Sequence, residues 1–171
     1  VNFPDFNSRL ALQLTAQNAS ATIRETQVFG IAVRGADQGG GMVLHPHYGI
    51  NLLPSAISDR FFIFADLDAD TFPGYTAGDQ IVSTFKLEGI HTISDTCVSD
   101  DGIPANEQCI SDGLSIVNIL FQRPEPEPVI NSIVNGNPVD DVQYVKIEIS
   151  GEAQYTPINI FVWNNGQISI N

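Results

Sequence analysis

The chain is short of positive charge. Seven Lys and Arg stand against 20 Asp and Glu in 171 residues, a formal net charge of −13. Such a surface repels phosphate backbones and argues against a nucleic-acid partner. Long apolar runs are missing too. No stretch of about 20 apolar residues is present, so no segment reads as a membrane-spanning helix.

Cysteine is scarce, with only Cys97 and Cys109. They are not a CxxC pair and no histidine lies between them, which argues against zinc and redox chemistry. A disulfide closing a short polar loop is the expected form, stabilising by about 3 kcal/mol on the loop-entropy model. It implies an oxidising compartment, such as the periplasm or the cell surface. Two free thiols in a cytosolic loop are the alternative.

The three histidines are His45, His47 and His91. None stands beside a serine in a recognisable catalytic context. G-x-S-x-G, the P-loop, G-x-G-x-x-G after a strand and H-E-x-x-H are all absent. Carboxylates abound, yet no pair is singled out for glycoside chemistry. An enzyme is therefore not expected. His45 and His47, separated by Pro46, read as loop histidines rather than metal ligands.

Apolar residues make up 43% and charged residues 16%, the composition of a folded globular chain rather than a disordered one. The length suits one domain. Its first part, residues 1–34, reads as a helix. Leu12, Ala16, Ala19 and Ile23 recur at helical spacing, Leu10 and Leu14 widen that stripe, and Gln13, Gln17, Asn18, Arg24 and Glu25 supply a polar side. Asp5 or Asn7 can cap the start, and Gly30 can end the helix in a left-handed turn. About 24 residues would make a rod of roughly 36 Å.

Everything after it, residues 35–171, reads as β-rich. A glycine-rich loop at 35–41 leads to strands at Tyr48–Leu53, Arg60–Ala65, Gln80–Leu87, Gly89–Thr96, Leu114–Phe121, Val142–Ile149, Thr156–Trp163 and Gln167–Ile170. The proline-rich Arg123–Pro128 is expected to run extended at the surface. Asn165-Gly166 between two apolar runs is a hairpin signal. One amphipathic helix followed by strands needs antiparallel sheets to pack on, an α+β fold.

One constellation carries a mechanism. Asp66, Asp68 and Asp70 alternate in a tight turn and can converge on Ca²⁺, with Asp79 or nearby carbonyls completing the shell. The pattern is not an EF-hand, because no glycine follows Asp70 and Ala77 stands where the closing glutamate would. The alternative is a solvated turn whose aspartates bond their own backbone.

The N-terminal helix, the sequence Phe62–Asp70 followed by Ala77–Ile81, and the closing hairpin Ile160–Ile170 together resemble the type IV pilin-like proteins, in particular the GspH/FimT-like minor pseudopilins. The resemblance covers nearly the whole chain. It implies a half-helix (1–34) leaning on a β-sheet head (35–171), together one domain. It further implies a hydrophobic, prepilin-peptidase-processed segment upstream of Val1 that anchors the precursor in the inner membrane. The subunit would then assemble into a bacterial pilus or type II secretion pseudopilus at the cell surface or periplasm. Leu10, Leu12, Leu14 and Ile23 would pack on the chain's own sheet and on neighbouring pilin or pseudopilin subunits. The basic tail through which some FimT-type proteins bind DNA has no counterpart in Gly166–Asn171. From another class, a secreted calcium-dependent module for glycans or a cell surface is the alternative.

Overall fold

A computed structural model describes residues 3–32, 35–37, 42–44, 46–53, 59–67, 74–123 and 127–171, those at 3–5, 35–37 and 42–44 by their backbone alone. Helix α1 (Phe3–Ile31) comes first, then β1 (Gly35–Asp37), β2 (Met42–Leu44), β3 (His47–Leu52), β4 (Arg60–Asp66), β5 (Gln80–Lys86) and β6 (Thr92–Ser99). After a 3-10 turn at Pro104–Asn106 come β7 (Gln108–Cys109), β8 (Leu114–Phe121), β9 (Pro128–Val134), β10 (Asn137–Val139), β11 (Tyr144–Ser150), β12 (Ile158–Trp163) and β13 (Ile168–Ile170). Six strands form one sheet in the order β10-β9-β8-β3-β4-β5, five form a second in the order β13-β12-β11-β6-β7, and β1 pairs with β2. Every described pairing is antiparallel. The α+β expectation of one N-terminal helix on antiparallel sheets holds.

Alternation makes these strands two-faced. In β11, Val145, Ile147 and Ile149 are buried in the core while Lys146 and Glu148 lie half-buried on the other face. Leu12, Ala16, Ala19 and Ile23 of α1 join Ile50, Phe61, Val117 and Ile119 of the larger sheet and Val98, Ile160 and Val162 of the smaller one in a single hydrophobic cluster. The helix lies across β3 and β8 of one sheet and β11, β12 and β13 of the other. The helix and the two larger sheets thus share one core.

Several local expectations need correction. The helix begins at Phe3 and runs 29 residues, so Asp5 and Asn7 fall inside its first turns rather than before them. Pro4 is tolerated there because first-turn N–H groups have no helical partner. Gly30 does not end the helix. It sits within it, buried, where an added Cβ would lie 2.4 Å from the Phe121 carbonyl oxygen of β8. Glycine is required there for close approach, not for a left-handed turn.

The glycine-rich segment expected as a loop at 35–41 instead begins with a short strand, β1, paired with β2, and its residues 38–41 lie outside those described. The strand expected at Gly89–Thr96 starts at Thr92 and runs through Cys97 to Ser99, because Gly89 takes φ +65° in a turn. The strand expected from Thr156 starts at Ile158. His47 opens β3 rather than lying in a loop, and His45 lies outside the described residues.

The hairpin β9–β10 was not expected at all. Asn135 (φ +50°) and Gly136 (φ +79°) form its tip, the paired positive φ of a two-residue hairpin turn. The Asn-Gly signal stands plainly in Val129–Val139, but the neighbouring prolines mask the strand pattern on both sides of it. At Asn165-Gly166, where the hairpin was expected, only Gly166 is positive (φ +83°), and Gly166 N–H donates to the Trp163 carbonyl at 2.9 Å.

Candidate functional site

The candidate residues that the sequence singles out fall mainly in two regions, the aspartate turn between β4 and β5 and helix α1. Asp68 and Asp70 lie outside the described residues. Asp66 ends β4 in register with His47 of β3, its carboxylate almost fully buried and its Oδ2 4.0 Å from the His47 Nδ1. Asp79 closes the turn from the far side. Its Oδ1 accepts the Leu67 N–H at 2.8 Å and its Oδ2 accepts the Thr76 N–H at 2.7 Å. Carboxylate oxygens accepting backbone N–H groups are strong, charge-assisted bonds. Asp79 is therefore a clasp that holds the two ends of the turn together.

The turn is also seated on the outer face of the larger sheet. Tyr75 N–H donates to Asn118 Oδ1 at 3.3 Å, and the Asn51 amide donates to the same oxygen at 2.7 Å. The Tyr75 ring meets Phe64 edge-on at 5.6 Å. Gly74 packs so closely on Asn118 that a Cβ would stand 2.3 Å from its Nδ2. Sequence reading placed the turn but missed Asn51 and Asn118, which show no signal until β3 and β8 are laid side by side.

Cys97 and Cys109 form a disulfide between directly paired residues of β6 and β7. Asp95 lies near both sulfurs, a grouping that could hold a metal only as thiolates. In the disulfide form those sulfurs are not available. The loop that the disulfide closes is docked on β11 by Glu107. The Tyr144 phenol donates to Glu107 Oε1 at 2.8 Å, and the Lys146 ammonium donates to Glu107 Oε2. Burial, and then the Glu107 carboxylate, push the Tyr144 phenol up to about 12. Asp101 organises the loop tip, accepting from the Asn106 amide (2.6 Å) and the Ile103 N–H (2.8 Å). Those bonds hold its carboxyl below the usual range.

Helix α1 is apolar on two sides. Leu12 and Ile23 are buried against the chain's own sheets, as expected. Leu10 and Leu14 do not widen that stripe; they are exposed, on the far side. With Phe6 (62% exposed), Leu14 (50%), Ala21 and Val28 (59%), they trace a second stripe at steps of four and seven residues. The far side of a surface helix is ordinarily polar, and here Gln17, Asn18 and Glu25 occupy only part of it. Arg24 reaches instead to the Ile168 carbonyl (3.0 Å) and Gln27 to the Gly166 carbonyl (3.2 Å), tying the helix to β13 and its turn. No helix among the described residues is long and apolar enough to cross a membrane. Set against protein-family models, curated proteins and solved structures, the chain matches none.

Proposed function

We infer that this chain is a structural subunit of a type IV pilin-like filament, a minor pilin or pseudopilin acting by packing rather than by catalysis. The observation that carries the reading is the second apolar stripe of α1. Phe6, Leu10, Leu14, Ala21 and Val28 face away from the chain's own core, on a helix already anchored by its opposite side. Large apolar side chains left exposed along one side of a helix mark an interaction site. Neighbouring subunits packed helix to helix would cover it, leaving the sheets outermost, at the cell surface or in the periplasm.

The pilin resemblance supports the same reading, as does the disulfide, which suits an oxidising compartment. The filament's other subunits and, before assembly, the inner membrane would be the partners. Calcium at the aspartate turn is compatible with this role and is tested separately below.

Replacing Leu14 and Val28 by glutamate tests the proposal. Both side chains are exposed, so the melting temperature of the 171-residue chain should hold, while incorporation into filaments in the source cell is lost. Normal incorporation of the double variant would sink the proposal. The upstream coding sequence offers an independent check. A short basic leader followed by a processed apolar half-helix is expected, and a cleavable secretion signal would favour the calcium-dependent binding module.

A further inference from the structure

We propose that Asn135 is a site of spontaneous covalent modification, deamidating through attack by the Gly136 backbone nitrogen, and that the second Asn-Gly pair, Asn165-Gly166, is shielded from the same reaction by its turn. In this chemistry the Gly136 nitrogen bonds to Asn135 Cγ, the Cγ–Nδ2 bond breaks, and ammonia leaves with the proton shed by the backbone amide. Water then opens the succinimide ring at either carbonyl, giving aspartate or isoaspartate. Glycine after asparagine favours the attack because no side chain crowds the nucleophile.

The two pairs differ in what must be released first. At the β9–β10 tip, Asn135 and Gly136 are both exposed, and no hydrogen bond holds the Gly136 N–H among the described residues. Asn135 itself is tied by three bonds, none of which occupies the attacking nitrogen: its Nδ2 donates to the Asp112 carbonyl at 2.8 Å, its N–H donates to the Gly113 carbonyl at 3.0 Å, and its carbonyl accepts from the Asn137 amide at 3.2 Å. At the β12–β13 tip the nucleophile itself is held, by the 2.9 Å bond from Gly166 N–H to the Trp163 carbonyl. The electrophile is held as well, since Asn165 Oδ1 accepts the Gln167 N–H at 2.9 Å. The Trp163 N–H donating to the Gln167 carbonyl, also at 2.9 Å, locks that turn further.

The consequences follow from the local packing. Conversion of Asn135 removes an amide donor to the Asp112 carbonyl and sets a carboxylate against it. Isoaspartate adds a backbone carbon to a two-residue loop, which cannot then keep Asn137 opposite Val134. The edge strand β10 is the element that would come loose.

The test is peptide mapping by mass spectrometry of the folded chain held at mildly alkaline pH, with a parallel sample unfolded in urea. Because the attacking nitrogen is hydrogen-bonded at Gly166 and not at Gly136, releasing that one bond predicts a rate about fivefold lower at Asn165 than at Asn135 in the folded chain. In urea the two rates should converge. The Asn135→Gln variant should lose the early mass gain while keeping its fold. Equal or faster conversion of Asn165 in the folded chain overturns the proposal. So does an undiminished mass gain in Asn135→Gln.

Discussion

Gly30→Ala puts the relation between helix and sheet to a quantitative test, because two effects of opposite sign meet at one atom. At an exposed position within a helix, alanine is more favourable than glycine by about 1 kcal/mol. At Gly30 the added Cβ would lie 2.4 Å from the Phe121 carbonyl oxygen, 2.6 Å from its Cβ and 2.8 Å from its carbonyl carbon. Atoms do not approach that closely, and the obstacle is mainly backbone of a central strand, which cannot swing aside as a side-chain tip can. Overpacking costs typically ~1–3 kcal/mol, and a backbone obstacle belongs at the upper end. A cost of about 3 less a gain of about 1 leaves a net loss of about 2 kcal/mol. For a domain of this size that lowers the melting temperature by roughly 4–8 °C.

Urea unfolding followed by far-ultraviolet circular dichroism should show an earlier midpoint with an unchanged slope. Gly30→Asn discriminates further. A left-handed helix end tolerates asparagine, whereas a close helix–strand contact rejects it more severely than alanine. A Gly30→Ala protein as stable as the parent, or more so, would refute the packing argument.

Four other outcomes are expected. The unreduced native chain should show no reactive thiol, and replacing both cysteines by alanine should cost about 3 kcal/mol, since residues 97 and 109 close a loop of 12-residue separation; reactive thiols in the native chain would remove the case for an oxidising compartment. Tyr144 holds its proton more tightly in the fold, at about 12, than at the ordinary 10.0; the stability tied to that proton is complete below pH 10.0 and is lost as pH rises through about 12. The parent should therefore lose more stability across that interval than Tyr144→Phe, and identical losses would show the phenol to be irrelevant. Asp79→Ala should lower stability by about 1–2 kcal/mol even in calcium-free buffer, because it removes the acceptor of two backbone N–H groups. Asp68→Ala tests the ion instead: it should abolish any calcium-induced rise in melting temperature, and an unaltered calcium response would place the ion elsewhere.

The aspartate turn shows how far residue patterns reach towards a site. Asp66 and Asp79 could be recognised as the ends of an acidic turn, because alternate aspartates between two apolar runs are a local pattern. That Asp79 binds backbone N–H groups twelve and three residues back is a matter of how the turn closes, and spacing could not reveal it. The helix repeats the lesson. Leu10, Leu12 and Leu14 are close in sequence and alike in chemistry, yet Leu12 is buried and its two neighbours are exposed. Grouping them in one stripe was wrong because successive even positions are about 200° apart around a helix.

By itself the sequence determined what depends on near neighbours: a helix first and strands after it, the buried set Leu12, Ala16, Ala19 and Ile23, the acidic surface, and the single candidate disulfide. Periodicity and composition are local properties, and they survive without knowledge of the partner surface. Tertiary structure decided the rest. It set the division of strands between two sheets, because pairing joins residues far apart along the chain, as when β3 pairs with β8. It set the role of Gly30, whose meaning lies in a carbonyl some 90 residues away. And it decided which side of α1 remains uncovered, since an apolar stripe becomes an interface only once the sheets have taken the other side.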